Sequence, residues 1–256
     1  MNTNIFKTGL LLVALSVSSI CAFAHDEVDP DPEAWKRSIA LGFNLTDGNS
    51  ETTLLTFDFK ARREKGKNIW NIELRESYGE TATLLEEGGL GDDQTTVDET
   101  TGIIEYKRLI DDRWYFGAYV AGERDDIADI EYRAIPGVTL GYFLVKNDDL
   151  QLSVDIGPSY VFEEVGGITN EYFAPRIGER LDWKISETAS VYQTLSVLFD
   201  TEDSDNYLIN AEAGIVAALS SSINLILSVK DTHDNVPAEG FEENDVVLTS
   251  ALGVTF

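Results

Sequence analysis

The chain has 256 residues, with 46 Asp plus Glu against 19 Lys plus Arg, a net charge of −27 and one cysteine, Cys21. So acidic a surface repels phosphate backbones, which argues against nucleic acid as a partner, and it draws cations instead. A single cysteine excludes a disulfide framework and any cysteine-rich metal site.

The first residues read as a secretory signal: Lys7 supplies the positive start, Gly9 to Val17 the apolar stretch, and Ala22-Phe23-Ala24 an A-x-A cleavage site. A lipoprotein reading of Ser19-Ile20-Cys21 is weaker, because Ile20 is bulky for the position before a lipid-bearing cysteine. The expected organisation is a signal peptide over 1–24, an acidic periplasmic lead-in over 25–34 containing Pro30 and Pro32, and one all-β domain over 35–256. No later stretch reaches 18 consecutive apolar residues, so helical spans are not expected.

Beyond Trp35 the pattern has period two, the mark of strands with two unlike faces. Strand one, to Leu45, sets Ile39, Leu41 and Phe43 against Ala40, Gly42 and Asn44; strand two, to about Lys60, sets Leu55, Phe57 and Phe59 against Thr56, Asp58 and Lys60. The residues 46–50 between them are turn formers. A basic turn over 62–67 leads to a third strand with Trp70, Ile72 and Leu74 opposite Asn71, Glu73 and Arg75. The stretch 79–99 reads as a long acidic loop; its Gly88-Gly89-Leu90-Gly91 run lacks the lysine and strand-to-helix setting of a nucleotide loop.

Strands four to six cover about 100–109, 114–121 and 130–143, with a bulge expected at Pro136. Strand seven is the clearest, with Leu150, Leu152, Val154, Ile156, Pro158, Tyr160 and Phe162 on one parity, and Pro158 implies a local break in its ladder. Strands eight to eleven cover about 172–183, 189–199, 206–219 and 223–230, and 231–244 reads as the last loop. The final strand sets Val246, Leu248, Leu252, Val254 and Phe256 on one face, and its aromatic end resembles the insertion signal of bacterial outer-membrane proteins.

Twelve strands with both ends on one side make a transmembrane antiparallel up-and-down β-barrel. The alternate connections then sort themselves. One set is long and acidic, with Arg124 its only cation, and is expected to be extracellular; the other is short and holds Arg62, Arg63, Lys65, Lys67, Arg113, Lys146 and Lys184. A lipocalin-like barrel or jelly roll would also show period-two strands but would bury its apolar parity. Here the second parity carries charge, which favours a polar lumen. The candidate lumen residues are Glu73, Arg75, Asp155, Arg176, Arg180 and Glu212. They line a conduit, or they pair and plug it, and a bore of twelve strands decides neither way.

Three stretches, 41–58, 141–164 and 235–256, together with Trp35, resemble the salt-induced outer-membrane proteins, a family defined as a domain of unknown function. The resemblance implies an outer-membrane barrel in contact with lipid and with the barrel-assembly machinery, and a link to salt or osmotic stress. It brings no reaction, ligand or cofactor.

Chemistry is sparse. His25 stands at the expected mature start, and His233, between Asp231 and Asp234, invites a rim-hydrolase reading in which a carboxylate–histidine pair activates water. Asp200, Glu202, Asp203, Asp205 and Asn206 supply oxygen ligands in a spacing that is not an EF-hand. The expectation is a non-enzymatic envelope barrel without cofactor or metal, with a narrow cation-preferring channel as the alternative and cations gathered at acidic loops.

Overall fold

The computed structural model describes residues 33–46, 50–83 and 92–256. The expected signal peptide, most of the lead-in, the centre of the first turn and the Gly88–Gly91 run lie outside the described residues. Fourteen strands follow one another: β1 (Lys36–Thr46), β2 (Ser50–Lys65), β3 (Asn68–Thr83), β4 (Gln94–Leu109), β5 (Trp114–Asp125), β6 (Ile130–Lys146) and β7 (Leu150–Gly157), then β8 (Tyr160–Val165), β9 (Ile168–Phe173), β10 (Arg176–Lys184), β11 (Ala189–Phe199), β12 (Tyr207–Ala218), β13 (Ile223–Asp234) and β14 (Asn244–Thr255).

Twelve of them close a ring. β1 to β7 pair in sequence, β7 pairs with β10, β10 to β14 continue in order, and β14 returns to β1, every pair antiparallel. The fold is therefore an all-β closed antiparallel barrel. The remaining two, β8 and β9, form a hairpin that carries the staves of β7 and β10 on to the end of the barrel away from the chain ends, β8 along β6 in the register of β7 and β9 beside the end of β11. Strands seven and eight as read from the sequence are each two segments. Pro158 ends the β7 ladder, and Ala174-Pro175 separates β9 from β10; neither proline has an N–H to give. Gly157 allows this corner, since a side chain there would stand 1.9 Å from the Val138 carbonyl oxygen.

Several boundaries differ from the sequence reading. Much of the supposed acidic loop 79–99 is strand, because β3 runs to Thr83 and β4 starts at Gln94. The basic turn shrinks to Gly66-Lys67, with Arg62, Arg63 and Lys65 in β2. The last loop shrinks to 235–243, so His233 belongs to β13 and pairs with Asn244. Pro136 makes no bulge: the register shifts lie at Gly79/Glu80, Glu123/Asp125, Ile130/Tyr132 and Phe143/Val145. Pro136 falls between the β7-paired and β8-paired parts of β6, where the ladder is already interrupted.

Both described chain ends lie at one end of the barrel, where Arg37 and Phe256 exchange backbone hydrogen bonds of 3.0 and 2.9 Å. Tight turns join the strands there. At Asp111 the carboxylate accepts the N–H groups of Arg113 and Trp114, both at 2.8 Å, and those bonds hold its carboxyl below the usual range. We call this the terminal end and the opposite one the far end. The far-end connections include 200–206 and 235–243, longer than any at the terminal end.

The outer face is apolar. Leu74, Ile104, Phe116, Val120, Leu140, Ile156, Ile177, Ile215, Leu227 and Leu252 are all more than a third exposed. In water such a surface would aggregate; against hydrocarbon it is the stable arrangement. Near the terminal end Trp70 packs on Tyr106 and Trp114 on Tyr142, with ring centroids 4.7 and 4.8 Å apart, as in an interfacial aromatic girdle.

Candidate functional site: a partitioned lumen

Because side chains alternate along each strand, every inward position faces the bore. Inward charges meet there in pairs, and four contacts cross the bore.

Nearer the terminal end, Arg75 on β3 donates from Nε to Asp58 at 2.6 Å, and its two terminal nitrogens grip Glu212 on β12 at 3.1 and 3.0 Å. Tyr192 donates its hydroxyl to the same Glu212 at 2.7 Å. Glu73 lies between Lys60 at 3.4 Å and Arg180 of β10 at 3.5 Å. These groups form a proximal septum. The bidentate geometry of Arg75 on Glu212 is the strong form of such a pair.

Toward the far end Arg133 on β6, 3% exposed, donates to three carboxylates: Glu163 of β8 at 2.6 Å, Glu123 of β5 at 3.2 Å and Asp234 of β13 at 2.6 Å. Beside it Lys230 of β13 pairs with Glu99 of β4. This is a distal septum. Between the two, Arg176 pairs with Asp155, which also accepts the Tyr115 hydroxyl at 3.2 Å, and Lys107 pairs with Glu105 at 3.1 Å.

The septa divide the lumen into chambers. A vestibule of about 430 Å³ opens at the terminal end and reaches Asp58, Lys60 and Arg75. A central chamber of about 230 Å³ runs from those residues to Glu123, Arg133 and Lys230, with a side chamber of about 200 Å³ around Glu105 and Arg176. A far-end vestibule of about 300 Å³ lies beyond Arg133 and is roofed by Pro237, Ala238 and Phe241.

The six residues chosen from the sequence all face inward, and they resolve into three pairs: Arg75 with Glu212, Glu73 with Arg180, and Asp155 with Arg176. Sequence reasoning missed Arg133 and its ring. The parity of Arg133 against the outward Tyr132 was a usable signal, but Glu99, Glu123, Glu163 and Asp234 fell in stretches read as loops.

The expectation of a polar lumen needs correction. Tyr119, Ile135, Val161, Tyr172, Ala174, Leu198 and Leu208 form a buried apolar cluster inside the barrel, packed against Ile103 and Ala121. It fills the wall side on which the β8–β9 hairpin stands. A second unpredicted device recurs three times. Tyr115, Tyr119 and Tyr192 each lie across the glycine opposite in the ladder, Gly141, Gly137 and Gly214, and each is faced by a cation: Lys107 at 5.0 Å, Arg176 at 5.1 Å and Lys60 at 5.1 Å.

The other sequence candidates stand apart. His233 is on the outward parity, stacked on Tyr207 with its Nδ1 2.8 Å from the Asn244 amide oxygen, while Asp234 faces inward to Arg133. The Asp200–Asn206 stretch is a pair of backbone turns, in which Asp200 accepts the Glu202 N–H and Asp203 the Asp205 N–H. Among the described residues no three His, Cys, Asp or Glu side chains converge as metal ligands do.

Residues 39–256 match the family described as protein of unknown function, DUF481. The chain belongs to that family. The family description does not mention salt, so the salt-induced name rests on resemblance alone. No curated protein matches the sequence. Solved structures similar to the chain include the NanC porin (10% identity, 86% of this chain and 97% of that one, TM-score 0.47) and the KdgM porin (10% identity, 86% and 99%, TM-score 0.47). The translocator domain of autotransporter NalP from Neisseria meningitidis is similar over 98% of this chain and 95% of its own, at 13% identity and a TM-score of 0.43.

Proposed function

We propose that this family member is a non-enzymatic barrel of the bacterial outer membrane whose lumen is a narrow conduit for small cations. The observation that carries the reading is the row of chambers separated by side-chain ion pairs, with the apolar cluster lining one wall of the central chamber instead of closing it. Lys60, Glu73 and Arg180 in the proximal septum are about a third exposed, and rotamer changes there let ions and water past where a folded solute cannot go. The short terminal-end turns and the long, acidic far-end loops support an orientation with the termini in the periplasm. Phe256, held at the closing seam, is then placed for recognition by the assembly machinery, and the apolar outer face meets lipid. Participation in ionic or osmotic stress belongs to the same proposal and is supported by the net charge of −27 and by the resemblance noted above.

A second reading, a plugged barrel with a purely structural lumen, is favoured by one observation: the Arg133 and Arg75 guanidiniums are each saturated by carboxylates. Single-channel recording of refolded mature protein in a planar bilayer under a salt gradient separates the two. Small steps with cation preference support the conduit. Silence from protein whose gel mobility shifts on boiling, as a folded barrel's does, supports the plug.

A further inference from the structure

Charge is not spread evenly along the bore. At the proximal septum and in the middle, the pairs described above cancel: Arg75 against Glu212, Glu73 against Arg180, Asp155 against Arg176, Lys107 against Glu105. At the distal septum they do not cancel. Arg133 answers three carboxylates and Lys230 answers Glu99. Asp125 and Asp245 line the same vestibule, and neither forms an ion pair among the described residues. Glu242 and Glu243 line it as well, so eight acids against two cations leave six negative charges in excess around one 300 Å³ chamber.

We propose that the distal septum is the selectivity filter of the conduit, with the excess carboxylates around Arg133 and Lys230 setting the preference for cations and the mid-lumen acids contributing none. The inference rests on the conduit reading and locates its specificity. The burial of Arg133 separates this from a merely acidic surface. A guanidinium 3% exposed, holding carboxylates from β5, β8 and β13 together, fixes their positions around the path instead of leaving them to swing in solvent. Apolar walls from Ile127, Ile130, Val165 and Val247 narrow the chamber, and low-dielectric walls focus the field on a passing ion. In water-like surroundings a unit negative charge about 10 Å away favours a monovalent cation about twofold and disfavours an anion by the same factor, so the excess gives a cation-over-anion preference of well over about tenfold.

The test is the potassium-to-chloride permeability ratio, read from reversal potentials of refolded protein in a planar bilayer. The variant D125N/D245N removes two excess charges without touching the Arg133 contacts. The amide that replaces the Asp125 carboxylate keeps an acceptor oxygen for the Ile127 and Ala128 N–H groups. The double variant is expected to lower the ratio about sixteenfold, because each lost charge acts about twofold on the cation and about twofold in the opposite sense on the anion. R133Q is expected to raise it, because three carboxylates lose their cation. E202Q/D203N removes the same charge from the 200–206 loop, whose residues do not line the vestibule, and is expected to leave the ratio unchanged. If E202Q/D203N lowers the ratio as much as D125N/D245N, selectivity is a diffuse property of the rim and the inference is overturned. An unchanged ratio in D125N/D245N overturns it equally while leaving the conduit standing. A wild-type barrel that is folded and silent removes the conduit reading and this inference with it.

Discussion

Replacing Gly141 by alanine isolates the tyrosine-on-glycine device. An added Cβ would stand 2.0 Å from Cζ of Tyr115, 2.3 Å from Cε2 and 2.4 Å from the hydroxyl oxygen. Carbon atoms in contact sit about 3.5–4.0 Å apart, so the ring must withdraw by about 1.5 Å or more. It has nowhere easy to go, since Tyr115 is 0% exposed and packs on Phe143 at 5.3 Å. Overpacking of this kind costs about 1–3 kcal/mol. Moving the ring also breaks the bond to the Asp155 carboxylate, worth about 1.5–3 kcal/mol, and the Lys107 contact, worth about 0.5–1 kcal/mol. Against this, alanine in a strand gains about 0.5–1 kcal/mol over glycine. The net expectation is a loss of about 2.5–6 kcal/mol. Urea unfolding in lipid vesicles, followed by tryptophan fluorescence, measures it, with Y115F beside it to isolate the hydroxyl bond. A G141A barrel within about 0.5 kcal/mol of wild type, the ordinary range of a neutral surface change, would refute the seating of Tyr115 on Gly141.

R75Q removes the guanidinium shared by Asp58 and Glu212 and is expected to destabilise the barrel by about 3–5 kcal/mol; E212Q should cost less, because Arg75 keeps Asp58, and equal losses would show that the Asp58 contact adds nothing. At the seam, β1 and β14 pair only from Ser38–Thr255 to Gly42–Ala251, and beyond that the Asn44 side chain reaches the Leu248 carbonyl at 3.1 Å. Hydrogen exchange should therefore be faster at the Val246 and Leu248 amides than at Leu252 and Val254, and uniform protection along β14 would count against a partly open seam. H233A should leave stability nearly unchanged and any hydrolysis at background, since the ring's hydrogen-bond partners among the described residues are Tyr207 and Asn244, not a carboxylate; loss of a measurable hydrolytic activity would restore the rim reading.

The barrel was legible because lipid imposes one rule on every stave. Val246, Leu248 and Leu252 must face outward whatever lies across the bore, so alternation alone finds them. The lumen was legible only as a parity. That rule named Glu73 and Arg180 as inward but not as neighbours, since their contact depends on which staves face each other across the closed ring. The distal septum was hidden for another reason. Glu99, Glu123 and Asp234 occupy strand ends rich in acids, where composition reads as loop although the ladder continues for several residues more. The apolar cluster escaped because Val161 and Tyr172 sit on the inward parity, which the sequence reading had assigned to polar groups as a whole.

β8 lies along β6 in the register that β7 sets up, Phe162 opposite Ala134 as Ile156 is opposite Leu140, and β9 carries β10 on beside the end of β11, where the Thr201 N–H reaches the Phe173 carbonyl. Residues 158–175 are therefore the far halves of two staves, and without them β6 and β11 would face each other across a slot lined by unpaired N–H and C=O groups. The same stretch brings Glu163 to Arg133 and Val161 and Tyr172 to the apolar cluster. Wall and filling are thus one piece here. A change in the length of this stretch opens the ring, whereas an exchange of its inward side chains alone re-tailors the bore.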